Sequence, residues 1–125
     1  MDLRALESRL ENWAAAQRSM GSSRPDIGSI EGRYRKHSAE ASSDPRIDMD
    51  DAKLVNEAWK RCLPLEKDIL RMHYVWRAHS SFICRRLRLK QGKGHTHVWE
   101  FAIAHAQRAI AIRIAVEERV EESTV

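Results

Sequence analysis

From Leu63 to Ile114 the apolar residues recur at three- and four-residue steps, and the recurrence fails twice, near Ala78 to Ser80 and again across Lys90 to His95. Such spacing lines one face of an α-helix, and a gap in it marks a helix end. The stretch therefore divides into short helix, break, short helix, break, long helix. A chain punctuated in this way is restricted to helices packed on helices. The predicted fold class is all-α, a small helical domain with a long C-terminal helix.

Charge gives the same stretch a second property. Between Asp68 and Glu100 there is no carboxylate, yet Arg71, Arg77, Arg85, Arg86, Arg88, Lys90 and Lys93 all fall there. A helical segment stripped of acidic partners offers its cations to a polyanion. Short helices joined by turns, with a long helix behind them, form the arrangement of a helix-turn-helix nucleic-acid reader, here over about residues 64–110. The net charge of +4 is modest because Glu117, Glu118, Glu121 and Glu122 offset the basic middle.

At 125 residues the chain suffices for one small domain plus an arm. Cys62 and Cys84 are its only cysteines and form no C-x-x-C pair, so neither a disulfide framework nor a thiolate zinc site is expected. The start lacks a basic region followed by an apolar one, and no apolar run approaches the ~20 residues of a membrane span. A cytoplasmic protein without membrane contact is expected.

Residues 1–20 read as an amphipathic helix with a seam of Leu3, Leu6, Leu10 and Trp13, an N-cap at Asp2 and a C-cap glycine at Gly21. The seam packs either on the rest of the domain or on another protomer or larger complex. Residues 21–47 shift to Gly, Ser, Pro and charge and read as a linker, in which Arg33, Arg35, Lys36 and His37 form a basic cluster. Residues 48–125 form the helical domain. Its first helix starts at Asp48 or Asp50, buries Val55, Ala58, Trp59, Cys62 and Leu63, and stops at Pro64, which opens the next. Ile69, Leu70 and Tyr74 face inward from that helix. Ser80 or Ser81 then caps a short helix with Phe82 or Ile83 and Leu87 inward and Cys84 at a close crossing. The last helix follows a cap at Thr96, with Glu100 in its first turn. Two adjacent apolar rows run along it, Val98, Ala102, Ala109, Ile112 and Val116 beside Trp99, Ile103, Ala106, Ile110 and Ile114. So wide a stripe is expected to bury against more than one neighbour.

Lysine and arginine neutralise phosphates without choosing a sequence, a role assigned to Arg85, Arg86, Arg88 and Lys90. Choice requires donors or acceptors where a helix enters the major groove, and there the chain offers Gln91, Lys93, His95 and His97, with Glu100 beside them. His95 and His97 are spaced like a metal pair but lack a third ligand, and His73 and His105 read as core or rim residues. No phosphate loop, nucleophile elbow or H-E-x-x-H occurs, so no enzyme, cofactor or metal is expected.

The helix-turn-helix resembles that of region 4 of bacterial sigma factors: Leu63-Pro64 opens it, Leu70 and Tyr74 close the first helix, and Ile83-Cys84-x-x-Leu87 stands where Ile-Ala-x-x-Leu is usual. Over nearly the full length, from about Leu6 to Ile114, the chain is more closely similar to phage antitermination proteins of the Q type. The carriers are Leu10-x-x-Trp13, Asp51-Ala52-x-x-Val55-x-x-Ala58-Trp59, Leu63-Pro64, Lys67-x-x-Leu70-x-x-His73-Tyr74-Val75, Cys84-Arg85-x-Leu87 and Ala106-x-x-Ala109-Ile110, in that order. The branch it resembles is the one without a zinc finger, and the glycine-rich run from Lys90 to His97 departs from the pattern. The resemblance implies a phage or prophage protein acting in a bacterial host. Such a protein binds double-stranded DNA beside a late promoter, loads onto paused RNA polymerase in the presence of its sigma factor, and suppresses pausing and termination by narrowing the RNA exit channel. Two other readings fit the same residues, a promoter-binding repressor or activator and a DNA-packaging subunit. The Leu3–Trp13 seam and the wide stripe of the last helix leave room for a second copy.

Overall fold

The computed structural model describes residues 1–20, 46–90, 94 and 97–123. Among them the protein is all-α: α1 is Leu3–Ser19, α2 Met49–Lys60, α3 Pro64–Leu70, α4 Ser80–Arg86 and α5 Val98–Ser123. A π-helical stretch, Arg71–Val75, continues α3. The long C-terminal helix expected from the sequence spans 26 residues.

Local chemistry sets most of the helix starts. The Asp2 carboxylate accepts the Ala5 N–H at 2.7 Å, and that of Asp48 accepts the Asp51 N–H at 3.1 Å, each satisfying a first-turn donor that has no partner within the helix. Pro64 occupies the first turn of α3, and Glu66 turns back to accept the Leu63 N–H at 3.0 Å. The start of α4 differs from expectation, because His79 is its cap. His79 Nδ1 accepts the Ser81 N–H at 3.1 Å, and Ser80 already lies inside the helix. Gly21 and Thr96, the other expected caps, lie outside the described residues.

One core joins four helices: Leu6, Leu10 and Trp13 of α1, Val55 and Ala58 of α2, Ile69 and Leu70 of α3, Tyr74 and Val75 of the π stretch, and Ala106, Ile110 and Ile114 of α5. A smaller cluster of Met72, Ala78 and Ile83 seats α4. The π stretch serves both, since Trp76 N–H reaches back to Arg71 O at 3.0 Å, five residues away, and the wider turn directs Met72 to one cluster and Tyr74 and Val75 to the other. Arg18 donates to the carbonyls of Tyr74 and Val75 at 2.9 and 3.2 Å, closing the end of that stretch with a cation.

Several apolar residues expected inside are on the surface. Leu3 is 59% exposed, lying on the rim of a groove toward α5 rather than along the α1–α2 seam. Leu63 is 61% exposed, because as the extended residue before Pro64 it lies outside both helices. Ile83 takes the inward position of α4 and leaves Phe82 exposed. On α5 the row of Ala106, Ile110 and Ile114 is buried, whereas the other row is only partly used, Ala102 packing against the core and Ile112 and Val116 exposed. Helix α5 does meet more than one neighbour, α2 and α3, but Ile112 and Val116 remain outside those contacts.

Polar ties hold α1 against the rest. Arg9 donates to Asp51 of α2 at 2.7 Å and lies 3.6 Å from Glu118 of α5. Trp13 and Gln17 both donate to Asn56, each at 3.1 Å. The Tyr74 hydroxyl donates to Glu7 at 3.3 Å and accepts from Gln107 at 2.9 Å, so a single phenol connects α1, the π stretch and α5. Burial pushes its pKa up to about 12, so it stays a donor throughout the working pH range.

Candidate nucleic-acid interface

Helix α4 has two turns, and its amino acids divide cleanly between inside and outside. Ile83 and Cys84 are buried while Arg85 and Arg86 are exposed. The helix ends in a pair of reversed hydrogen bonds, Leu89 N–H to Cys84 O at 2.7 Å and Arg88 N–H to Arg85 O at 3.3 Å. This closure requires a left-handed residue, usually glycine. Here the position is filled by Arg88, at φ +60°. The turn before α4 repeats the substitution, with Arg77 at φ +53° beneath a bond from Ala78 N–H to Met72 O of 2.9 Å. Each left-handed non-glycine residue costs about 1–2 kcal/mol. Both ends of α4 thus place an arginine where a glycine would be easier.

The cations of this surface are uncommitted, as are Arg4, Lys53, Arg108, Arg113 and Arg119 elsewhere among the described residues, and what sets those of this surface apart is that they cluster in a run of sequence without a carboxylate. Arg85, Arg86, Arg88 and Lys90 are exposed, and within the described residues none has a side-chain hydrogen bond or ion pair. By contrast Arg9 holds Asp51, Arg61 pairs with Glu117, and Lys60 pairs with Glu57. Arg71, one of the basic residues of the carboxylate-free stretch, is half-buried with its guanidinium 4.7 Å from the centre of the Trp59 ring. Lys67 lies over the same ring at 4.9 Å, and the indole donates to the Lys67 carbonyl at 3.0 Å. Trp59 is therefore a half-buried anchor for two cations as well as a neighbour of Trp13, at 5.7 Å. Arg77 contacts Glu11 only at 4.0 Å, and it joins the outward-facing set that the sequence reading did not assign to phosphate. The signal for it was slight, an arginine inside a break that contains no glycine.

Of the expected reading residues, Gln91, Lys93 and His95 lie outside the described residues. Gly94 has φ +87°. His97 is exposed one position before α5, its ring 6.4 Å from that of Phe101, and Glu100 is exposed in the first turn.

The remaining ionisable groups are structural. Burial raises the Cys62 thiol to about 11, with Glu66 adding to the shift, and burial raises Cys84 as well, so neither is a ready thiolate. His105 contacts the buried carboxylate of Glu66 at 2.8 Å on the rim of the α3–α5 contact. Among the described residues no three His, Cys, Asp or Glu side chains gather as a metal site. No described helix is long and apolar enough to cross a membrane.

No family model, curated protein or solved structure matches the chain. The site is therefore argued from its own residues.

Proposed function

We propose that this chain binds double-stranded DNA through α4 and the segment after it, and that it acts as a phage late-gene antiterminator of the Q type. The observation that carries the DNA-binding part is the clustering of four exposed cations, Arg85, Arg86, Arg88 and Lys90, unpaired among the described residues, within a run of sequence that has no carboxylate. Each phosphate they neutralise releases counterion, which gives affinity that falls steeply with salt. Gln91, Lys93, His95 and His97 follow directly in the chain and supply donors and acceptors for base edges. The antitermination part rests on the resemblance: the protein engages a site beside a late promoter, joins paused RNA polymerase while sigma factor is still present, and narrows the RNA exit channel so that terminator hairpins fail to form.

The deciding experiment adds purified protein to polymerase paused near a late promoter and measures transcripts that pass an intrinsic terminator downstream. Read-through with retention of the protein on the elongating enzyme is expected, and unchanged termination on the correct template rules the reading out. DNA binding is tested separately. Replacing Arg85, Arg86 and Arg88 together by alanine should weaken binding to every duplex and reduce the salt slope by about 2.7, at roughly 0.9 per phosphate contact. An unchanged slope would remove these arginines from the interface.

A further inference from the structure

Before α4 begins, two arginines from different elements lie within reach of each other. Arg77 stands in the turn between the π stretch and α4, with its side chain 69% exposed. Arg18, near the end of α1, is anchored by its bonds to the carbonyls of Tyr74 and Val75, just ahead of Arg77 in the chain. Burial and, after it, the charge of Arg77 lower the Arg18 pKa from its ordinary value, while Glu11 opposes them, so all three groups share one local field. Glu11 and Arg18 are two helical turns apart on one face of α1. Like charges held together call for an anion, and among the described residues Glu11 is the carboxylate that contacts Arg77. It does so at 4.0 Å with its own side chain 55% exposed, which makes it a weak partner. Nor does the backbone explain the arginine, since at φ +53° glycine folds more easily.

We infer that Arg77 is a further phosphate contact of the DNA-binding surface, at the opposite end of α4 from Arg85, Arg86 and Arg88, and that Glu11 holds in the free chain the place a phosphate oxygen takes in the complex. The inference rests on the proposed DNA binding and adds a residue and a competing carboxylate to it. Phosphate suits the position better than Glu11 does, because it brings several charged oxygens to a planar guanidinium and no strain of a tethered side chain. The seven residues of α4 measure about 10 Å at 1.5 Å each, and phosphates of one strand follow at about 3.4 Å along the duplex axis. A backbone lying along α4 thus reaches both ends within a few phosphates. Arg18, tied to the main chain, keeps the field positive when Glu11 leaves.

The test titrates a fluorescently labelled random-sequence duplex with the full chain at a series of salt concentrations, and records a thermal melt for each variant. Arg77→Gly accepts the left-handed turn, so its Tm should equal or exceed that of the parent while its salt slope falls by about 0.9, one phosphate contact. Arg77→Lys keeps the charge and should keep the slope. Glu11→Gln should tighten binding by up to about fivefold, the range of an exposed ion pair, and the gain should vanish once Arg77→Gly is added. A parent slope in Arg77→Gly, or a lost slope in Arg77→Lys, overturns the inference. A Glu11→Gln gain that persists without Arg77 overturns the exchange of carboxylate for phosphate. If alanine at Arg85, Arg86 and Arg88 lowers the slope and Arg77→Gly does not, this inference alone fails; the reverse pattern fails the assignment of those three and leaves Arg77 standing. A parent chain that binds no duplex overturns both.

Discussion

Arg88 separates folding from binding within a single side chain. Its φ of +60° is unfavourable for any residue with a Cβ. Arg88→Gly should relieve about 1–2 kcal/mol of strain and lose about 0.4–1 kcal/mol to the freer unfolded chain. The net expectation is a gain of roughly 0.5–1 kcal/mol, a rise of a few degrees in Tm, accompanied by weaker DNA binding. A thermal melt and a salt titration on the same sample measure both. A fall in Tm would show that the side chain, and not the backbone, is what the position needs. Such positions are hidden in a sequence, because Arg77 and Arg88 carry none of the glycine that normally announces a left-handed turn. The caps at Asp2, Asp48 and Pro64 were legible for the opposite reason: each acts on backbone groups within its own first turn, so the local sequence contains the whole cause.

The elements were legible where their apolar spacing has one solution and obscure where it has two. Helix α5 carries two apolar rows, and only its neighbours decide which is buried; α2 and α3 cover Ala106, Ile110 and Ile114. The π stretch is a tertiary compromise of the same kind, invisible to a 3.6-residue period. It also contains the group that should govern acid stability. His73 packs edge-on against Tyr74 at 4.7 Å and lies 5.5 Å from Trp99, and burial lowers its pKa below the ordinary 6.5, with Glu7 and Glu11 opposing in part. Between the lowered folded value and 6.5 the unfolded chain binds more protons, so stability rises with pH through that window and is lost as pH falls from about 6.5. His73→Gln should flatten this slope in chemical denaturation followed against pH. An identical slope would assign the acid sensitivity to another group.

In the whole molecule α1 is a structural member of the core. Leu6, Leu10 and Trp13 are buried in the same cluster as Val55, Tyr74 and Ile110, so removal of residues 1–20 strips one wall from it. The truncated chain should lose its cooperative melt, and Trp13→Ala alone should cost about 3–5 kcal/mol. Retention of a sharp transition by residues 21–125 would show that α1 is dispensable. The sequence seam foretold an apolar contact without naming its partner, since Arg9–Asp51 and Trp13–Asn56 join residues more than forty positions apart. The candidate site was argued from charge alone: the missing carboxylates singled out the stretch and Arg85, Arg86, Arg88 and Lys90 were chosen within it, whereas the stacking of Arg71 on Trp59 is a tertiary contact that charge does not reveal.

The π stretch also acts as an angular offset. A turn closed over five residues inserts one residue relative to an α-helix, and one residue is about 100° of rotation. Everything after Val75 is thereby dialled round relative to the core that Leu70 fixes, and the arginines of α4 inherit their heading from that offset. Deleting one residue between Arg71 and Val75 would restore a plain helix and leave the composition of the basic surface intact. It would aim that surface elsewhere, so the orientation of the cations is encoded in a length and not in any of the cations themselves.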